Sequence, residues 1–151
     1  EKDLFAAPLL VSEMLEDCGE DVFAISEHEI FSTLVSNFRS DMSTASCQEP
    51  YSIHEKGVIY KFPDKEWSHR IMGTFGNHLV NSNKDLACAI AVTNSDKTYR
   101  ISVRSSLNNP YGAGNLCKAF GGGGREKAGG INNLEEGDLD KFKNEFGKVF
   151  S

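Results

Sequence analysis

Apolar and polar residues alternate most clearly between positions 86 and 105. Residues 86–93 form an apolar run of buried-strand length and Asn94-Ser95-Asp96-Lys97 is turn chemistry. Residues 98–105 then place Tyr99, Ile101 and Val103 opposite Arg100, Ser102 and Arg104. A β-hairpin is predicted there, with the three polar side chains facing away from the core. Shorter strand patterns stand at 51–54 and 57–62, joined by Glu55-Lys56-Gly57, and at 128–134 after a glycine-rich stretch.

Helical periodicity fills much of the remainder. Leu4, Phe5, Leu9, Leu10, Met14 and Leu15 fit one face of a helix over 4–18, with Pro8 tolerated only near its first turn. Ser26-Glu27-His28-Glu29 reads as a capping box opening a second helix through Ile30, Phe31, Leu34, Val35 and Phe38, ending between Arg39 and Met42. The polar, Pro-terminated stretch 43–50 reads as a loop. Asp64 is expected to cap a third helix carrying Trp67, Ile71, Met72, Phe75 and Leu79, in which Gly73 and Gly76 signal close packing or a bend. A short helix around Leu116, Ala119 and Phe120 follows. A last one, capped by Asp138, turns Leu139, Phe142, Phe146, Val149 and Phe150 inward. The sum is an α+β fold: a mixed β-sheet flanked by helices over residues 51–151, preceded by an N-terminal helical linker segment over residues 1–50.

A chain of 151 residues is long enough for one ordinary core. Its 39% hydrophobic and 25% charged residues place it with globular proteins rather than disordered ones. The longest apolar run, 86–92, is far short of the roughly 20 residues a membrane-spanning helix needs. The chain opens on Glu1-Lys2-Asp3 without a secretory-type segment, and the absent initiator Met is what a piece of a longer protein would show. Cys18, Cys47, Cys88 and Cys117 stand far apart with no C-x-x-C pair, so the expectation is a cytoplasmic protein with reduced thiols.

The net charge of −6 is unevenly spread and therefore informative. Residues 1–30 hold nine acidic side chains against Lys2, whereas residues 100–130 hold Arg100, Arg104, Lys118, Arg125 and Lys127 against Glu126 alone. The basic segment contains Gly121-Gly122-Gly123-Gly124-Arg125, a run without Cβ atoms whose successive N–H groups could point at one oxyanion. A helix C-cap or flexible linker is the competing reading of such glycines. Lys127 and Gly129-Gly130 follow closely. Arg104, on the polar face at a strand end, can grip a phosphate through two parallel hydrogen bonds, with Ser105 and Ser106 as hydroxyl donors. The candidate phosphate-binding set is thus Arg104, Ser105, Gly121, Gly122, Gly123, Gly124, Arg125 and Lys127. No residue is assigned a catalytic or metal-binding role.

The segment Tyr99-Arg100-Ile101-Ser102-Val103-Arg104-Ser105-Ser106, followed by Cys117-Lys118-Ala119-Phe120 and GGGGREKAGG at 121–130, resembles the DHH-associated C-terminal domain of DHH-family phosphoesterases. In that family a strand ending in Arg-Ser precedes a helix and a Gly-Gly-Gly-His loop. The resemblance spans about residues 57–150, leaving 1–50 as the tail of a preceding DHH domain or the linker to it. It implies that the missing DHH domain binds two metal ions, usually manganese, and activates the attacking water. The present chain would close over the cleft and hold a nucleotide or a short single-stranded oligonucleotide. Arg125 stands where the family has its His; it preserves the positive charge and removes any proton-transfer role. This Arg form is associated with a bacterial branch of the family.

The chain on its own is thus expected to bind and not to hydrolyse, its partners being the nucleotide and its own DHH domain, with a homodimer left open and no membrane. The competing class is a stand-alone nucleotide- or polyphosphate-sensing domain. Asn77 and Asn81 share a helical face that could line the cleft, and Trp67 is read as core before base-stacking. His28, His54, His69 and His78 fall too far apart to share a metal.

Overall fold

The computed structural model describes residues 4–151. Three helices come first: α1 (Pro8–Cys18), α2 (Val22–Glu27) and α3 (Glu29–Ser46). Strands β1 (Ser52–His54) and β2 (Gly57–Phe62), helix α4 (Glu66–Ser82), and strands β3 (Ala87–Thr93) and β4 (Tyr99–Arg104) follow. The chain closes with α5 (Ala113–Ala119), β5 (Gly123–Arg125), β6 (Ala128–Leu134), a 3-10 turn at Glu136–Asp138 and α6 (Leu139–Val149).

Among the described residues the strands form one sheet in the order β1-β2-β3-β4-β6-β5. Only the β2–β3 pair is parallel, and such a pair needs a crossover, which α4 supplies. β3 sits centrally and is buried on both faces, which is why it reads as a continuous apolar run. Its Ala87, Ala89 and Ala91 join Tyr99, Ile101 and Val103 of β4 in a core closed by α5 and by Phe142, Phe146 and Phe150 at the C-terminal helix. On the opposite face Ile90 and Val92 meet Phe62 and, from α4, Ile71, Met72 and Phe75. Each of these large buried side chains contributes about 1.5–3 kcal/mol through the water its surface no longer orders. The mixed sheet flanked by helices, with helices ahead of it, is the α+β architecture the pattern predicts.

The 86–105 hairpin forms as expected. Its turn is held by Asp96, whose carboxylate accepts from the Thr98 hydroxyl at 2.7 Å and the Thr98 N–H at 3.0 Å, while Lys97 takes a left-handed φ of 70°.

Several local expectations are overturned. The first helix begins at Pro8, so Leu4 and Phe5 precede it, and its apolar side is largely open: Leu9 is 68% exposed and only Met14 is buried. Ser26 is no cap; it lies inside α2, and its hydroxyl donates to the Phe23 carbonyl. The cap of α3 is His28, whose Nδ1 accepts from the Ile30 N–H at 3.2 Å. α3 continues to Ser46 because its last turns bury Asp41 and Ala45 against α4. Asp64 bonds His69 at 2.9 Å instead of capping α4, and Asp138 makes no side-chain cap to α6. Val149 is 41% exposed rather than inward.

Candidate anion-binding site

The end of β4 brings three of the expected residues together. Arg104 and Ser105 from the strand end, and Lys127 from the turn between β5 and β6, line one cavity of about 300 Å³. Asn77 and Asn81, one turn apart on α4, complete its polar wall, while Val80, Leu107, Pro110 and Ala128 supply an apolar one. Among the described residues no carboxylate lines it, and two cations face the space. A larger cavity of about 580 Å³ lies at the other end of β4, beside Arg100 and the start of α4. There Asp64, Glu66 and Asp96 offset Lys65 and Arg100, and the lining offers an anion no net attraction.

Arg104 is held in a defined pose. Its Nε donates to Asn77 Oδ1 at 2.8 Å, and its NH1 donates to Ser102 Oγ and the Val103 carbonyl, each at 3.0 Å. The side chain lies along α4 where Gly73 and Gly76 leave room: a Cβ at Gly76 would stand 3.5 Å from Arg104 Cγ. A Cβ at either position would make only ordinary van der Waals contact, so close packing does not by itself account for these two helix glycines. With Nε and NH1 both occupied, the two-pronged grip expected of Arg104 is not on offer in this pose; only NH2 remains.

Ser105 is buried and committed to the backbone. Its hydroxyl sits 2.9 Å from the carbonyls of both Tyr111 and Glu126 and accepts from the Ala113 N–H, tying the strand end to α5. Ser106 accepts from the Asn109 N–H within its own turn. Neither hydroxyl is turned to a ligand, against the expectation from sequence.

The glycine run differs most from its expected form. Gly121 has a φ of +76° and donates to the Lys118 carbonyl, while Gly122 donates to Cys117 at 2.9 Å. This is a Schellman ending of α5, and it consumes the first two N–H groups of the supposed oxyanion cradle. Gly123, Gly124 and Arg125 form β5, paired with β6 through Gly123↔Gly130, Gly124↔Gly129 and Arg125↔Ala128. None of the five residues 121–125 lines the cavity; Arg125 stands exposed on the hairpin whose turn delivers Lys127.

The thiols beside the site are chemically quiet. Burial pushes the Cys88 thiol up to about 12, despite the nearby Arg104 charge, and Cys117 up to about 11. Trp67 packs on Phe62 with centroids 5.0 Å apart and belongs to the core. Among the described residues no group of three or more His, Cys, Asp or Glu side chains is placed to hold a metal ion. No helix among them is long and apolar enough to cross a membrane.

One mixed sheet with a cavity lined by two cationic side chains at the end of a central strand defines an α+β domain. The chain belongs to the family whose model is described as the DHHA1 domain, which matches residues 55–151. The fold is shared with a pGpG-specific phosphodiesterase, PggH from Vibrio, at a TM-score of 0.65 and 12% identity, over 96% of this chain and 51% of that one. It is shared with the C-Ala domain of Aquifex aeolicus alanyl-tRNA synthetase at a TM-score of 0.53 and 13% identity, over 68% of this chain and 98% of that one. RecJ from Thermus thermophilus, solved with Mg2+, gives 0.59 and 14%, over 80% of this chain and 19% of that one. The chain thus spans about half the length of PggH, and that match takes in the N-terminal helices that the family model leaves out. Among curated protein sequences there is no match.

Proposed function

We propose that this chain is the substrate-binding half of a metal-dependent DHH-family phosphoesterase, and that the cavity beneath Arg104 and Lys127 receives a phosphate of a nucleotide or short single-stranded oligonucleotide. The observation that carries this reading is a pair of cations facing one cavity with no carboxylate on its wall. The apolar wall beside them suits the sugar and base that accompany a phosphate, and the Asn77 and Asn81 amides add neutral donors and acceptors. Membership in the DHHA1 family supports the assignment of hydrolysis to a DHH domain, with manganese held there and residues 1–50 leading to it. Arg125 then acts from the hairpin as a third, outer cation.

The test is a calorimetric titration of the chain with a 5′-phosphorylated dinucleotide. Loss of a charge-assisted hydrogen bond costs roughly 1.5–3 kcal/mol, so Arg104→Ala is expected to weaken binding about tenfold to a hundredfold. Lys127→Ala should weaken it too, and Arg125→Ala less. Unchanged affinity in both Arg104→Ala and Lys127→Ala would sink the reading.

A further inference from the structure

The guanidinium of Arg104 has five N–H donors, and its neighbours account for them unequally. Asn77 takes the Nε–H, while Ser102 and the Val103 carbonyl take NH1. NH2 makes no hydrogen bond among the described residues and passes over Gly73, where a Cβ would stand 3.6 Å away. None of the ion pairs among those residues includes Arg104. Every acceptor that fixes it is neutral. The contrast within the same helix is sharp: Arg70, seven residues before Asn77, is paired with the carboxylate of Asp41.

We infer that Asn77 is a positioning residue for anion binding: its neutral amide oxygen fixes the Arg104 guanidinium without spending its charge, and leaves NH2 for the phosphate. This deepens the proposed function and rests on it. A long Arg side chain gives up rotamer freedom when it grips a ligand, and an acceptor already holding Nε removes part of that cost beforehand. A carboxylate at position 77 would hold the side chain as firmly but would cancel the attraction for a second anion. Asn77 itself is part of the cavity wall.

The two roles open to Asn77 rank substitutions in opposite orders. A tether with no part in binding would tolerate Asn77→Asp better than Asn77→Ala, since Asp retains the acceptor and adds an ion pair. The positioning role predicts the reverse. In titrations with a 5′-phosphorylated dinucleotide, Asn77→Ala should weaken binding about threefold to tenfold and Asn77→Asp by more than tenfold, with thermal unfolding recorded for each variant. The Arg104 Nε–H resonance, assigned by its loss in Arg104→Ala, should be sharp in the free protein and exchange-broadened in Asn77→Ala. Asp binding as well as or better than Ala, or a resonance unaffected by Asn77→Ala, overturns the inference. Arg104→Ala separates the two levels: if it too has no effect, the cavity itself is wrongly assigned, whereas a loss in Arg104→Ala alone defeats only the role of Asn77. The resonance test stands even if Asn77→Asp fails to fold.

Discussion

Arg70 of α4 and Asp41 of α3 form a two-pronged ion pair, Nε to Oδ2 at 2.9 Å and NH2 to Oδ1 at 3.2 Å, with Asp41 almost wholly buried. Glu66 approaches the same guanidinium at 3.6 Å, and the Phe5 ring centroid lies 3.8 Å from it. Arg70 is thus one point, beside the packing of Ala45 and Met42, at which α3 is fastened to the sheet domain. Removing one partner of such a pair strands a charge that has left water; because Arg70 keeps some exposure, Asp41→Ala is expected to cost roughly 2–3 kcal/mol. A urea titration checks this: the midpoint should fall, and a midpoint unchanged from wild type would mean that the helices are fastened elsewhere.

Two neighbouring glycines should respond differently to alanine. At Gly121 nothing lies within 4 Å of an added Cβ, so Gly121→Ala meets only the cost of a left-handed φ, about 1 kcal/mol. At Gly122 the Cβ would collide with the Gly130 carbonyl oxygen and stand 2.8 Å from Ile131 Cγ1. Backbone cannot yield there without parting β5 from β6, so Gly122→Ala should destabilise by more than twice as much. Equal urea midpoints for the two variants would contradict this packing.

The same glycines mark where side-chain patterning stops carrying information. The β3–β4 hairpin was legible because side chains alternate on it, and the same alternation places Arg104 on the α4 face. β5 carries two glycines and an arginine, so it has no alternation to read, and its pairing with β6 is visible only in the backbone. α3 runs beyond its apolar stripe because Asp41 is buried through an ion pair, and a buried carboxylate looks like solvent-facing sequence. His28 was missed as a cap because imidazole is an uncommon acceptor at that position. At the site, position along β4 places Arg104 among the residues that line the cavity. The Ser105 hydroxyl and the N–H groups of the first two glycines are engaged by helix and strand ends, which the sequence pattern does not display.

Thiol reactivity gives an independent check on the core. Cys88 and Cys117 are buried with pKa values pushed to about 12 and 11, whereas Cys47 is exposed. At pH 8 an aromatic disulfide reagent should label Cys47 rapidly in the folded protein and reach Cys88 and Cys117 only on unfolding. Rapid labelling of Cys88 in the native state would show that the β3–α4 packing opens readily.

Acid should weaken the hairpin turn. Hydrogen bonds from the Thr98 hydroxyl and N–H hold the Asp96 carboxyl below its ordinary 3.8. A depressed carboxylate stabilises the fold above the unfolded-state value and loses that contribution as pH falls through the folded-state value. The stability difference between wild type and Asp96→Ala should therefore be full and constant from pH 5 to 7 and shrink as pH drops below about 3.8. Chemical denaturation across that range measures it, and a difference that grew on acidification would reverse the assigned direction.

Salt dependence separates a charge-driven cavity from one that holds its ligand by shape. Each phosphate neutralised on a single strand lowers log K by about 0.7 per decade of salt. Arg104 and Lys127 are the cations lining the cavity, so a slope near −1.4 is the upper limit for a short oligonucleotide, and raising salt from about 50 to 200 mM should weaken binding roughly sevenfold. Arg104→Ala or Lys127→Ala should each halve the slope, and the pair together should bring it close to zero. Arg125 sits outside the cavity on the exposed hairpin, so its removal should change the slope only when the ligand is long enough to reach past Lys127. A wild-type slope near zero, with binding still measurable, would move the source of affinity from the two cations to the apolar wall of Val80, Leu107, Pro110 and Ala128.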